Sequence, residues 1–242
     1  MFDCLNSINN QNYTLELIFV NDGSTDKSIS IFDNFIFNDF IKVKRISRQN
    51  KGFLFSLQQA ISVSSGKLIA RIDADDYWCD NHLNEVVKKF EQNPKFVLIG
   101  SQCNYIENSV LKKTSNFPST HNSIIKYLHK DSPFIHSSVV FKKDAYFKTP
   151  GYLIGESQTL SHIADYNLWF ELSKIGQCYN LQFVTVNYRV FSDSMSRSID
   201  LKKNYLIRLK LMSKVNIYYS KHIIYSFFQR LKVLLRILQH SI

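Results

Sequence analysis

Three carboxylates fall within four residues at Asp73, Asp75 and Asp76, inside the stretch Arg71-Ile72-Asp73-Ala74-Asp75-Asp76-Tyr77-Trp78. Carboxylates this close repel one another, so such a cluster is tolerable on a water-exposed turn or around a cation that cancels its charge. Hard divalent cations such as Mg²⁺ take oxygen ligands, keep several waters and complete their shell with substrate phosphates. Asp73 and Asp75 are the candidate metal pair, and such a site expects a phosphorylated substrate. The bland alternative is a solvated turn whose acids cap the next helix, a role open to Asp80 as well. A second acidic turn upstream, Asn21-Asp22-Gly23-Ser24-Thr25-Asp26, weighs toward the functional reading.

Both turns need elements that position them. Leu68, Ile69, Ala70 and Ile72 read as a short buried strand that stops where the acids begin. Residues 15–20 form another apolar strand ending at Asn21; Gly23 permits a tight reversal, and Ser24 or Thr25 can cap a helix whose buried face is Ile29, Phe32, Phe35 and Ile36. The grammar repeats with a strand at 43–46, a turn at Asn50-Lys51-Gly52, and a helix marked by Phe53, Leu57, Ala60 and Ile61 that Gly66 stops. His82, Leu83, Val86, Val87 and Phe90 share one helix face, Asn93-Pro94 ends it, and 96–100 is a strand. Residues 101–160 read as less regular, with a strand at 138–141 and a loop around Pro150, Gly151 and Gly155. Leu168, Trp169, Leu172 and Ile175 trace a helix starting near Asp165, with Trp169 and Leu172 read as core, and 179–191 gives one or two strands. This alternation predicts an α/β fold with a mostly parallel central sheet and helices on both faces. Ligands in such sheets bind beyond the carboxyl ends of the strands, where both acidic turns fall.

Charge is distributed unevenly. Of a formal +10 over 242 residues, nine basic side chains (Lys202, Lys203, Arg208, Lys210, Lys214, Lys221, Arg230, Lys232, Arg236) follow Asp200 with no acid among them, leaving the first 200 residues close to neutral. In the same segment Tyr205, Leu209, Met212, Phe227, Phe228, Leu231, Leu234, Leu235 and Leu238 recur at helical spacing. Two readings stand: an interfacial helix on an anionic membrane, or a helix packed on the body with a solvated basic face. Nucleic acid is not an expected partner, since no nucleic-acid module accompanies the charge. Cys4, Cys79, Cys103 and Cys178 lie far apart without metal-ligand spacing, which fits a reducing cytosol. No apolar run reaches the ~18–20 residues that span a bilayer, and the first residues lack the pattern of a signal peptide.

Five segments in order carry a resemblance: residues 21–26; residues 71–76; His136-Ser137-Ser138; Ala164-Asp165-Tyr166-Asn167-Leu168-Trp169; and Tyr188-Arg189-Val190 followed by Ser194 and Ser196. Together they resemble family 2 glycosyltransferases of the GT-A fold over residues 3–197. The resemblance implies inverting, metal-dependent transfer of a hexosyl-type sugar from a nucleotide-diphosphate donor, commonly UDP-linked, to an acceptor hydroxyl, with Mg²⁺ or Mn²⁺. Asn21 and Asp22 then sit near the donor's base, Asp73 and Asp75 face ribose, diphosphate and metal, and Arg189 reaches toward the diphosphate. Asp165 matches the catalytic base, and His136 lies on the acceptor side or serves as a structural hydrogen-bonder. Ala164 departs from the acidic residue usual before that base. The family normally begins with an apolar strand ahead of the helix at 3–9, and here Met1 starts after it. The expected organisation is a GT-A domain over 1–200 and a basic helical tail over 201–242. The implied setting is cell-surface polysaccharide or glycolipid synthesis with a glycan or lipid-linked acceptor, in the cytoplasm or peripheral on the inner face of the cell membrane. The alternative is a non-catalytic sugar-nucleotide-binding or scaffold protein derived from such an enzyme.

Overall fold

A computed structural model describes residues 1–152, 163–191 and 201–219. The chain runs α1 (Phe2–Asn9), β1 (Leu15–Asp22), α2 (Ser28–Asp33), β2 (Ile41–Arg48), α3 (Phe53–Val63), β3 (Leu68–Ala70), β4 (Tyr77–Trp78), α4 (His82–Gln92), β5 (Phe96–Glu107), β6 (Val110–Thr114), α5 (His121–Leu128), β7 (Val140–Lys142), α6 (Lys143–Tyr146), α7 (Ala164–Ile175), β8 (Gln177–Arg189) and α8 (Leu201–Tyr218). Gly155, Ser194, Ser196 and the apolar positions 227–238 of the tail lie outside the described residues.

β1 and β2 pair in parallel as a two-stranded unit, while the remaining strands run β3-β7-β5-β8-β4 with β6 added to β5. The two longest pairings, β1 with β2 and β5 with β8, are parallel. The shorter ones, β3/β7, β4/β8, β5/β6 and β5/β7, are antiparallel, so the sheet is mixed. Side-chain alternation along β5 separates two cores. Leu98 faces Phe141 and Cys178 across the sheet, and this face packs on Ile124 and Leu128 of α5 and on Leu168, Trp169 and Leu172 of α7. Ile99 faces Val140 on the other side, against Val86 and Phe90 of α4. Helices therefore cover both faces, and each fully buried Leu, Ile or Phe contributes about 1.5–3 kcal/mol of transfer free energy. A third cluster joins Cys4 and Ile8 of α1 to Trp78, Leu83, Cys103 and Val186.

Several elements differ from the sequence reading. The helix after the first acidic turn is the short α2, in which Phe32 alone is buried, stacked on Phe19 at a ring separation of 3.9 Å. Phe35 and Ile36 lie beyond its end, with Ile36 87% exposed, and no side chain of Ser24 or Thr25 caps it. Asp80 does not cap α4, whose N-cap is Asn81. Residues 101–114 and 121–128 are regular: β5 continues to Glu107 and turns back into β6 through Asn108 and Ser109, both at positive φ, as a tight two-residue hairpin requires, and α5 follows. His136-Ser137-Ser138 is a turn of 3₁₀ helix, and the strand begins after it at Val140. β1 pairs only with β2 among the described residues, and its apolar side chains stay half-buried.

α8 packs on the body. Leu211, Met212 and Val215 are buried, Arg208 pairs with Asp131, and the Tyr219 hydroxyl donates to the Ser173 carbonyl at 3.0 Å.

At the end of β1 the chain reverses at Gly23, with φ +80°, where an added Cβ would stand 2.9 Å from the Asn50 amide nitrogen. Gly23→Ala should cost about 1–2 kcal/mol from the left-handed backbone alone, and more from the clash, read as a lower midpoint in urea denaturation.

Candidate functional site

The acids at 73–76 form the turn from β3 to β4, and both ends of that turn are held by neighbouring strands. The Arg71 amide donates to the Val139 carbonyl at 3.1 Å, continuing the β3/β7 ladder, and the Asp76 amide closes the turn on the Asp73 carbonyl at 3.1 Å. Beyond it, the Trp78 indole nitrogen donates to the Ser137 carbonyl at 2.7 Å, and its amide donates to the Ser7 hydroxyl at 3.0 Å. One carboxylate oxygen from each of Asp73, Asp75 and Asp76 lies within 4.8 Å of the others. Asp73 is gripped through both oxygens by the guanidinium of Arg71, itself only 7% exposed. Ser137 ties the group together: its hydroxyl donates to Asp76 and accepts from the Asp73 amide at 3.1 Å. Asp76 also accepts from the Arg189 amide at 2.8 Å.

Burial pushes the Asp76 carboxyl up to about 7; the Ser137 hydroxyl opposes this and the charge of Asp73 adds to it. Burial, and then Asp73, raise Asp75 as well, although Asp75 is the most exposed of the three. Three hard oxygen donors from like-charged groups, at least two of them reluctant to ionise, make a donor set that fits a divalent cation such as Mg²⁺ or Mn²⁺.

Asp165 stands in the first turn of α7, where the helix dipole favours a carboxylate. Burial nonetheless raises it to about 6; the Tyr166 amide, donating at 2.7 Å, and then Arg71 pull it down, while Asp131 and Asp73 push it up. α7 and the acid turn are linked by packing: Trp169, one turn along α7 from Asp165, lies with its ring 5.7 Å from that of His136, whose neighbour Ser137 contacts Arg71. His136 lies beside them, its Nε2 2.7 Å from the Tyr152 hydroxyl and its ring against Phe53 and Trp169. Burial, with the nearby Arg71 charge, holds His136 well below its usual range, so the ring is neutral.

The other three residues singled out from sequence are engaged locally. Asn21 is buried, and its side chain accepts from the Ser24 amide at 2.9 Å. Asp22 pairs with Arg48 and accepts from the Lys51 and Gly52 amides at 2.8 and 2.9 Å, fixing the loop that opens α3. Arg189 pairs with Asp3 on α1 and lies over the Tyr77 ring at 4.8 Å. Asp73 and Asp75 lie with Arg71 in the acid turn, His136 joins that turn to α7, which carries Asp165, and Asn21 and Asp22 cap the end of β1.

The model of glycosyl transferase family 2 matches residues 3–151, more than half of the chain. The chain belongs to this family. AmsE of Erwinia amylovora, an amylovoran biosynthesis glycosyltransferase, is 25% identical over 196 residues, covering 80% of this chain and 72% of AmsE. Among solved structures, S. aureus TarS 1–349 in complex with UDP-GlcNAc superposes with a TM-score of 0.66 at 16% identity, covering 88% of this chain and 61% of that one. A mannosyltransferase from Pyrobaculum calidifontis, in complex with GDP-Man and Mn²⁺, gives a TM-score of 0.61 at 13% identity, over 96% of this chain and 69% of its own. The fold is therefore of GT-A type, with the mixed sheet described above. The present chain spans about three-fifths of the TarS chain.

Sequence reasoning passed over three residues of this cluster. The sequence leaves the role of Arg71 undecided, and its burial and its grip on Asp73 supply what the sequence lacks. Ser137 was visible in the triplet with His136, but its contacts with three charged residues are long-range. Tyr152 had no signal beyond following Pro150-Gly151. Ser137→Ala removes a hydroxyl shared by buried charged groups, and the expected loss is about 1–3 kcal/mol of stability, measured by thermal unfolding at pH 8, where Asp76 is ionised.

Proposed function

We propose that this glycosyltransferase moves a hexose from a nucleotide-diphosphate sugar, UDP-linked, to an acceptor hydroxyl with inversion at the anomeric carbon, using Mg²⁺ or Mn²⁺. The observation that carries the reading is the Asp73-Asp75-Asp76 turn held by Arg71, beside His136, whose ring packs on Trp169 of the helix that carries Asp165 in its first turn. A base with a pKa near 6 is ionised at neutral pH and still takes a proton readily. In the proposed reaction Asp165 accepts the proton of the acceptor hydroxyl as that oxygen attacks the anomeric carbon, opposite the departing diphosphate. Neutral His136, backed by Tyr152, orients the acceptor. Asn21 and Asp22 flank the nucleobase, Asp73 meets the ribose and, with Asp75, holds the cation. When bound, the cation stabilises the negative charge that gathers on the leaving diphosphate. Arg189 turns from Asp3 toward the diphosphate; an exposed pair of that kind holds it by less than about 1 kcal/mol.

The setting we infer is synthesis of a cell-surface polysaccharide or glycolipid, consistent with the amylovoran role named for AmsE. The GT-A domain occupies 1–200, and 201–242 holds the enzyme to an anionic membrane on its cytoplasmic side, close to a glycan or lipid-linked acceptor. Supporting this, α8 turns Leu206, Lys210, Lys214 and Ile217 outward at helical spacing while Leu211, Met212 and Val215 face the body, and residues 201–242 contain no acid. No helix among the described residues is long and apolar enough to cross a membrane.

With a donor panel and acceptor extracts, transfer should stop with EDTA and return with Mn²⁺, and Asp165→Asn should lower kcat by about 10²–10⁴-fold. The wild-type rate should rise with pH through about 6 and level off above it, because the base works ionised. The sign for stability is opposite. The folded chain holds this proton above the range where the unfolded chain has lost it, so stability falls as pH rises toward 6. Asp165→Asn should therefore be no less stable at pH 8, and more stable by up to about 1–2 kcal/mol. Loss of activity together with a lowered Tm would speak against the base role. Separately, the full chain should sediment with vesicles containing anionic phosphatidylglycerol and not with neutral ones, and Lys210→Glu/Lys214→Glu should weaken sedimentation several-fold without changing donor turnover.

A further inference from the structure

We propose that Arg71 is a positioning residue that makes cation binding at the acid turn conditional on the donor's diphosphate, an inference that rests on the metal reading above. The Arg71 guanidinium is buried, with its Nη1 and Nη2 committed to the two oxygens of Asp73. Nη1 also lies 3.3 Å from the Ser137 hydroxyl, and the guanidinium stacks over the Phe53 ring at 5.4 Å. Asp76 is likewise occupied, by the Ser137 hydroxyl and the Arg189 amide. Asp75 is thus the carboxylate of the turn most open to solvent, and one carboxylate is a poor cage for a divalent ion.

A cation arriving alone must take Asp73 from Arg71. That exchange leaves a buried guanidinium without an anion and next to a second positive charge, which is the costly way to break a buried pair. A diphosphate changes the balance. Its oxygens match the planar fork of the guanidinium as well as a carboxylate does, so Arg71 can transfer its two bonds to phosphate and release Asp73 to the ion. Ion and diphosphate then bind as a pair, each tightening the other by the same factor. Phe53 opens α3 and covers the Arg71 guanidinium with its ring, which keeps the guanidinium from escaping to water instead. The consequence is a turn that stays charge-balanced while empty and recruits its ion together with substrate.

The test measures Mn²⁺ binding by electron paramagnetic resonance on the full chain, with and without saturating UDP, for wild type, Arg71→Gln and Arg71→Lys. In wild type, UDP should tighten Mn²⁺ binding on the order of 50-fold. In Arg71→Gln, Mn²⁺ alone should bind about tenfold tighter than in wild type, and the UDP effect should fall below about fivefold. Arg71→Lys keeps the charge but not the fork and should lie between; it decides the matter if Arg71→Gln does not fold. A merely structural role would weaken Mn²⁺ binding equally with and without UDP, and that result, or a UDP effect unchanged in both variants, overturns the proposal. If the wild type binds no Mn²⁺ with or without UDP, the metal reading falls and this inference falls with it.

Discussion

Three carboxylates held within 4.8 Å of one another inside a folded chain need a counter-charge, and the buried guanidinium of Arg71 supplies it. At an effective dielectric constant near 20, two unit charges about 4 Å apart interact by about 4 kcal/mol, so an unbalanced triad would rival the net stability of a domain. The molecule limits this cost in three ways. Arg71 neutralises Asp73, burial holds Asp76 protonated up to about 7, and Asp75 is left toward solvent. Long-range partners hold the turn in place: Val139 the Arg71 backbone, Ser137 both Asp73 and Asp76, and the Arg189 amide Asp76.

The rest of the architecture can be understood as support for that knot. The β3/β7 and β4/β8 pairings hold the two sides of the turn in separate parts of one sheet, so it cannot relax by fraying at one end. Trp78 binds the turn to the 3₁₀ segment through the Ser137 carbonyl and to α1 through Ser7. The large core under Leu98 and Phe141 seats α7, whose first turn carries Asp165, with Trp169 against His136. α8 extends the same core through Leu211 and Val215, and its Arg208 balances Asp131, one of the charges that raise Asp165. Site and scaffold therefore share one electrostatic network.

Much of this was legible beforehand where the signal is local. Strand–turn–helix periodicity located β1, α3, α4, β5 and α7, because an apolar stripe of the right period has few other ways to be buried. Trp169 and Leu172 are fully buried, as their helical spacing implies. Legibility failed where the partner is distant. α2 stops after Asp33 because the phenylalanines that follow it pack among themselves and with Phe2 rather than along a helix face. The hairpin of β5 and β6 was missed because β6 is exposed along its whole length and carries no alternating pattern.

The sequence by itself determined the family motifs, their order, the α/β alternation and the concentration of positive charge after residue 200, since all of these are properties of residue type and spacing. Tertiary structure alone decided which acids are free and which are spoken for. Asp22 is bound to Arg48 and two amides and Asp76 to Ser137 and Arg189, while Asp75 remains open and Asp165 is raised by burial. The reason is physical: a carboxylate's role follows from its burial and from the charges within a few ångströms, and those neighbours come from segments that lie far apart along the chain.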